Sequence, residues 1–243
     1  MLKGMIDPDK YIFLLGGHDL EMEEIRNILQ SYGLIYHDLN LEWGAKLSAY
    51  GYLFDNYHTF IGIELTRDIP PPQKYIEINH HNDKSDYPSS IEQIATLLDI
   101  ELNHDQQLIA ANDRGYIKAM VDFGASPEEI AQIRKEDRHA QGVTEKDERL
   151  ADIAVKKGDI FGNIMVVYYE GNRFSPVTDL VQVDHLIVWN YRTLSYYGNH
   201  TAALIDYYKQ LTIEGKAYYG GNPVSFFGLV RDCFKESEII HNS

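Results

Sequence analysis

The sequence predicts an α/β fold, in which a parallel sheet with flanking helices is followed by a smaller C-terminal α/β domain. Short apolar runs alternate with helix-like segments from Tyr11 to about Gly124, as is typical of a parallel sheet covered by helices. The C-terminal part is rich in Val, Ile, Tyr and Phe around one helical stretch, "TAALIDYYKQL". We expect a first domain over residues 1–125, a helical connector over 126–157 and a second domain over 158–243.

The elements of the first domain follow from the local pattern. Strands are predicted at "YIFLL", "LIYH", "TFIGIEL" and "KYIEIN", and helices at "EMEEIRNILQSYG", "KLSAYGYLF" and "IEQIATLLD". Ser89 and Ser90 precede the last of these helices and can cap it. The stretch "QQLIAANDRGYIKAM" is interpreted as an apolar strand-like run that ends at Asp113, with more helix after it.

The connector and the second domain have different compositions. Residues 126–154 are highly charged with helically spaced apolar positions, which predicts a solvated helix, although Arg134, Arg138 and His139 would reach a site if that helix leaned over a cleft. Strands are predicted at "NIMVVYYEG", "HLIVWNY" and "AYYGGNPVSFFGLVR".

Composition restricts the classes of partner. The chain has 243 residues and a formal net charge of -15, which argues against a surface that coats long nucleic acid but allows a small phosphorylated substrate or nucleotide. The one cysteine suits a reducing cytoplasm. The apolar run near the N-terminus is too short for a signal sequence or a membrane span, so no membrane partner is expected. A homodimer is left open.

Polar residues follow several predicted strands. The segments "GGHDLE", "GIELT", "INHHND" and "AANDRG" each end an apolar run. Ligands collect at the C-terminal ends of parallel strands, so we expect these side chains to converge. The candidates are His18, Asp19, Glu21, Glu64, His80, His81, Asp83 and Asp113.

A mixture of imidazole and carboxylate groups favours Mn, Zn or Fe over Ca. Two such ions can share a hydroxide and neutralise the charge that develops on a phosphoryl group. Phosphoester or pyrophosphate hydrolysis is the chemistry that follows. The alternative is ordinary local structure, in which Asp19 caps a helix and Asp113 shapes a turn.

The segment "INHHND" followed by "PSSIEQIATLL" resembles the third motif of the DHH phosphoesterase superfamily. In the same resemblance, "HDLE" is similar to a shortened first motif, and Glu64 and Asp113 stand at the places of the second and fourth. "YYGGNPVSFFG" is similar to the glycine-rich substrate loop of the C-terminal DHHA1 domain. The resemblance implies a metal-dependent phosphodiesterase or phosphatase that acts on a small nucleotide, short oligonucleotide or other phosphoester.

The resemblance also implies roles for individual residues. It implies one or two Mn²⁺ ions, with Zn²⁺, Fe²⁺ or Mg²⁺ as alternatives, and catalytic roles for His80, His81 and Asp113. Asp83 is a weaker addition that orients the loop or a histidine. The implied metal ligands are His18, Asp19, Glu21, Glu64, Asn79, His80 and Asp113. The implied substrate-binding residues are Arg114, Arg192, Gly220, Gly221 and Asn222.

Three departures from the family pattern keep an alternative open. Asn79 stands where the family has a metal-binding aspartate, and a neutral amide is a weaker ligand. Glu21 and Glu64 each lengthen a side chain by one methylene, and Asn222 replaces a histidine. The alternatives are a catalytically impaired protein that binds or senses a nucleotide, and a structural protein whose polar strand ends are caps and turns.

Overall fold

The computed structural model describes residues 8–42, 44–81, 84, 86–181, 183–220 and 225–234. The chain divides into two compact units, Met1–Gln141 and Gly142–Ser243. Within the described ranges, every helix is too short or too polar to cross a bilayer.

The first unit contains a four-stranded sheet in the order β2-β1-β3-β4, and all its strands run parallel. This confirms the predicted parallel sheet. The strands are β1 (Tyr11–Leu14), β2 (Ile35–His37), β3 (Thr59–Ile63) and β4 (Tyr75–Ile78).

Helices cover both faces of this sheet, because its central strands are apolar on both sides. Side chains of α1 and α2 pack on one face and a 3₁₀ segment packs on the other. The helical elements are α1 (Leu20–Ser31), the 3₁₀ segment (Leu47–Leu53), α2 (Ser90–Leu98), α3 (His104–Phe123) and α4 (Pro127–Ala140).

Side-chain caps fix where the helices begin. The Asp19 carboxylate accepts a hydrogen bond from the Met22 amide at 2.9 Å, and Ser89 and Glu92 form a capping box at the start of α2. The predicted serine cap of α2 is therefore confirmed. Both caps stand directly beside residues of the predicted site.

The interpretation of the run before Asp113 as strand-like is wrong, because Asp113 lies inside α3. Helix α3 is buried on two sides: Ala110 packs with α1 and α2, whereas Leu108 and Ala111 pack with α4. A helix enclosed in this way carries consecutive apolar residues, which hides the helical period.

The interpretation of residues 126–154 as a solvated helix is wrong for α4. This helix packs against α1 and α3, and Arg134 is only 3% exposed. The Arg134 guanidinium donates to Asp137 at 2.7 Å and to Asn112 at 2.9 Å. Pairing of this kind lets charged residues be buried, which composition alone does not show. The next helix, α5 (Glu145–Lys156), belongs to the second unit.

The second unit contains a six-stranded mixed sheet in the order β5-β6-β7-β8-β10-β9. The predicted strands and the helix "TAALIDYYKQL" are present, the latter as two short helices, whereas β5 and β8 were not predicted. The strands are β5 (Asp159–Phe161), β6 (Ile164–Tyr168), β7 (His185–Trp189), β8 (Thr193–Gly198), β9 (Ala217–Gly220) and β10 (Phe226–Val230). The helices are α6 (Ser175–Leu180), α7 (Thr201–Tyr207) and α8 (Lys209–Ile213).

Candidate metal centre

The C-terminal ends of β1, β3 and β4 meet at one edge of the parallel sheet. Glu64 follows β3 directly, His80 follows β4 after one residue, and Glu21 lies in the first turn of α1, which follows β1. Asp113 reaches the same place from α3. The fold thus brings together residues that are up to 92 positions apart, the separation of Glu21 and Asp113.

The four side chains form a compact cluster. Glu21, Glu64, His80 and Asp113 each offer one ligand atom, and these atoms all lie within 4.8 Å of one another. His80 Nε2 is central: it lies 3.3 Å from Glu64 Oε1 and 3.9 Å from Glu21 Oε2, and it contacts Asp113 Oδ2. A second group of Glu64, His80 and His81 shares two of these residues.

Three atoms of the cluster are buried and make no hydrogen bond of normal geometry among the described residues, although two of them form the His80–Asp113 ion pair. They are Glu21 Oε2, His80 Nε2 and Asp113 Oδ2. Buried polar atoms without partners cost free energy, and such atoms call for an explanation in any folded protein. A divalent cation between them would satisfy the carboxylate oxygens and the imidazole nitrogen together. The residues present therefore fit a divalent metal ion with nitrogen and oxygen ligands.

The first turn of α2 holds two of the carboxylates. The Ile91 amide donates to Glu21 Oε1 at 3.0 Å, and the Ser90 hydroxyl donates to Glu64 Oε1 at 2.8 Å. Sequence reasoning assigned Ser90 only to helix capping and missed its contact with Glu64. The doubled serine was the available signal, because one residue is enough to cap the helix and the other is left for a different partner.

Glu64 has an unusual backbone conformation. Its φ is +53°, in the left-handed region that a non-glycine residue rarely adopts, and its amide donates to Ile78 O at 2.8 Å. Such conformations cost of order 1–3 kcal/mol and persist where the surrounding structure enforces them. In this conformation the Glu64 carboxylate lies 3.3 Å from His80 Nε2 and 3.2 Å from His81 Nε2.

The histidines and carboxylates shift one another's pKa values. Burial lowers the pKa of His80, but the carboxylates of Asp113 and Glu64 outweigh burial and raise it to about 10. Burial raises the pKa of Glu64, but His80 and His81 outweigh it and hold that pKa well below its usual range. The pKa of Glu21 is raised well above its usual range by burial and by the neighbouring charges. Without a metal, the imidazolium supplies the positive charge of the cluster.

We expect metal uptake to release a proton, because a metal ligand must be neutral imidazole while His80, with its pKa raised to about 10, is protonated at neutral pH. Apparent affinity should rise about tenfold per pH unit for each proton released, and this rise should stop as the pH passes the folded pKa. Calorimetric titration with Mn²⁺ at one pH, in two buffers of different ionisation enthalpy, measures the number of protons. A heat that does not depend on the buffer would contradict the expectation.

The remaining predicted ligands make other contacts. His18 Nε2 lies 3.3 Å from Glu23, Asp19 caps α1, and Asn79 Oδ1 accepts from the His81 amide at 2.9 Å. The described residues yield two groups of candidate histidine and carboxylate ligands, and neither contains His18 or Asp19. Asn79 has a structural role in the turn that presents His81, and its assignment as a ligand stays a prediction.

The predicted substrate residues are distributed between the two units. Arg114 pairs with Glu92 at 3.2 Å in the first unit. In the second unit, the Arg192 guanidinium donates to Asn172 at 3.0 Å, and Gly220 ends β9. The remaining predicted residues lie outside the described part of the chain: Asp83, Gly221 and Asn222.

Comparison with known proteins gave structural likenesses alone. No protein-family model matches the chain, and no curated protein matches it. It is similar to the pGpG-specific phosphodiesterase PggH from Vibrio cholerae, with 13% identity over 91% of this chain and 92% of that one at a TM-score of 0.47.

It is also similar to the exonuclease RecJ bound to manganese, with 10% identity over 94% of this chain and 88% of that one at a TM-score of 0.42. RecJ from Thermus thermophilus in complex with Mn²⁺ has 9% identity over 91% and 49% of the two chains at a TM-score of 0.46.

Proposed function

We propose that this protein is a metal-dependent phosphoesterase that hydrolyses a small nucleotide, a short oligonucleotide or a similar phosphoester. One observation carries the proposal: among the described residues, three buried polar atoms that make no hydrogen bond of normal geometry, on Glu21, His80 and Asp113, face one another beside Glu64. They stand at the carboxyl edge of a parallel sheet, where α/β proteins bind ligands. The resemblance of "INHHND" to a phosphoesterase motif supports the same reaction.

Glu21, Glu64, His80 and Asp113 would hold the ion, and Mn²⁺, Zn²⁺ or Fe²⁺ suits this set of donors. A divalent ion supplies Lewis acidity for the phosphoryl oxygens and activates water at neutral pH. The carboxylates are held in place before any ligand binds. Glu64 is held by its own strained backbone and by the Ser90 hydroxyl, and Glu21 is held by the Ile91 amide. Preorganisation of this kind avoids a reorganisation cost during the reaction.

His81 stands at the exposed side of the cluster. Its side chain is 38% exposed, and its Nε2 lies 3.2 Å from Glu64 Oε2. Burial lowers the pKa of His81, but Glu64 outweighs burial and raises it above that of an ordinary histidine. We assign His81 the role of donating a hydrogen bond to a phosphoryl oxygen, which is a charge-assisted bond when the imidazole is protonated.

The test is metal-dependent hydrolysis by the whole chain. Protein stripped with EDTA should hydrolyse neither bis(p-nitrophenyl) phosphate nor a panel of dinucleotides, and added Mn²⁺ should restore turnover. Elemental analysis of protein purified without chelator should find bound Mn, Fe or Zn. Failure to take up any of these ions would overturn the site itself. Uptake without turnover across the panel would favour the binding or sensing alternative, which the substitution at Asn79 makes plausible.

A further inference from the structure

A second feature of interest is a pocket at one edge of the sheet of the second unit. Strands β6 and β7 are parallel there, and Tyr168 is the register partner of Trp189. Side chains of register partners lie on the same face of a sheet. The two ring centroids are 4.8 Å apart with an interplanar angle of 65°. The last side chains of both strands thus form an aromatic wall.

This wall lines a cavity of about 230 Å³, together with Tyr191 and Arg231. Pockets that enclose a whole drug-sized ligand have volumes of roughly 300–1,000 Å³. The cavity therefore takes one ring system of a larger molecule and leaves the rest of that molecule in solvent. Three aromatic side chains and one guanidinium suit a planar ring that carries a negative group.

The turn that carries Tyr191 is held rigidly. Asn190 is buried, its side-chain amide donates to Gly171 O at 2.9 Å, and its Oδ1 accepts from the amides of Arg192 and Thr193 at 2.8 and 3.0 Å. Tyr191 itself is 56% exposed. The Tyr191 ring is therefore exposed to solvent on an ordered turn. Because the turn is already ordered, little conformational entropy is lost when another ring stacks on Tyr191.

Positive charge is concentrated at the same edge. The Arg231 amide donates to Arg192 O at 2.8 Å, and the Arg192 guanidinium lies 5.0 Å from the centre of the Tyr191 ring. Among the described residues, neither arginine forms an ion pair with a carboxylate. This is notable in a chain with a net charge of -15. Guanidinium groups match phosphate oxygens in geometry and charge.

The pocket is separate from the predicted glycine loop. The pocket lies at the edge of the sheet that contains the register pairs Trp189–Leu194 and Thr193–Val230. Gly220 pairs with Phe226, which in turn pairs with Tyr197, and these residues mark the opposite edge. The sequence resemblance assigns none of the four residues that line the pocket, and it assigns only Arg192 beside them.

We propose that this pocket binds a nucleoside monophosphate, whose base stacks on the exposed rings of Tyr168 and Tyr191 next to the buried Trp189 and whose phosphate pairs with Arg231. Stacking of a base on aromatic side chains is worth about 1–3 kcal/mol per base and tolerates different bases. The site does not depend on the metal centre, because all its residues belong to the second unit. It is a nucleotide site even if the protein hydrolyses nothing.

The fluorescence of Trp189 tests the proposal directly, because the chain has two tryptophans and a Trp43→Phe variant leaves Trp189 alone. The full-length variant is titrated in EDTA with AMP, adenosine and ribose 5-phosphate. AMP should quench the fluorescence saturably, and the two fragments should bind more weakly. In this background Arg231→Gln should weaken AMP binding by about tenfold or more while adenosine binding stays unchanged. Tyr191→Ala should weaken both.

Several outcomes would overturn the proposal. The first is the absence of saturable quenching by AMP up to about 10 mM. The second is an AMP affinity of the Arg231→Gln protein equal to that of the parent variant. The third is AMP binding that appears only with Mn²⁺ and is lost in a His80→Ala protein. The Tyr191→Ala variant removes an exposed ring, so it stays informative if Arg231→Gln misfolds. The metal site is judged separately, since Arg231→Gln should leave Mn²⁺ uptake unchanged.

Discussion

Replacing His80 with alanine should strongly weaken metal binding, because Nε2 of this residue is the only nitrogen ligand in the four-residue cluster and lies at its centre. Changes to residues that merely support a metal ligand typically cost 10–100-fold in affinity or activity. Loss of a direct ligand should exceed that, so we expect Mn²⁺ affinity and phosphoesterase activity to fall by about 100-fold or more. Calorimetry measures the affinity, and hydrolysis of bis(p-nitrophenyl) phosphate measures the activity.

His104 provides the matched control. It is exposed at the start of α3 and pairs with Glu129 at 2.7 Å, an exposed pair of the kind that contributes little to stability. His104→Ala should therefore keep both metal affinity and activity. If the His80→Ala protein keeps its full metal content while its circular dichroism spectrum is unchanged, the assignment of the cluster as a metal centre is wrong.

The sequence was most informative where a short strand meets a polar residue. Strand β3 is followed directly by Glu64, and β4 is followed by His80 after one residue, so locating the strands located the side chains. The carboxyl-edge rule for parallel sheets then indicated that they converge. Asp113 was included for the wrong structural reason, since a doubly buried helix and a buried strand both read as a continuous apolar run.

The parts that escaped prediction depend on pairs of residues far apart in the chain. The buried Arg134 pairs with Asn112 on another helix, and the Glu64 carboxylate is held by Ser90. A pattern in one segment reports its own periodicity but not the partner that neutralises a charge. The aromatic pocket escaped for the same reason, because Arg231 and Trp189 are brought together only by the register of the sheet.

The backbone at the end of β3 lies against a glycine that follows β1. Gly16 follows β1, and a Cβ atom at this position would lie 2.4 Å from Ile63 O and 2.8 Å from Glu64 O. Both neighbours are backbone atoms, so they cannot move aside as the end of a flexible side chain would. Because Gly16 has no side chain, the two backbones can approach closely there. Strand β3 can then end beside β1 with the Glu64 carboxylate in the cluster.

Gly16→Ala should therefore damage the metal centre without changing any ligand. Added atoms in a well-packed region typically cost about 1–3 kcal/mol, and here the required shift falls on the backbone of Glu64. We expect a lower thermal midpoint and a Mn²⁺ affinity reduced by about tenfold or more, since ligand geometry must be held within about 0.5 Å. Thermal unfolding followed by circular dichroism and calorimetric titration measure the two effects.

Gly51→Ala is the control, because a Cβ there would meet only the Ile69 side chain at 3.5 Å, an ordinary contact. It should leave both quantities close to those of the unmodified chain. Unchanged Mn²⁺ affinity in the Gly16→Ala protein would mean that the end of β3 can shift without moving the Glu64 carboxylate. In that case the left-handed backbone of Glu64 would be a feature of the turn and not of the metal centre.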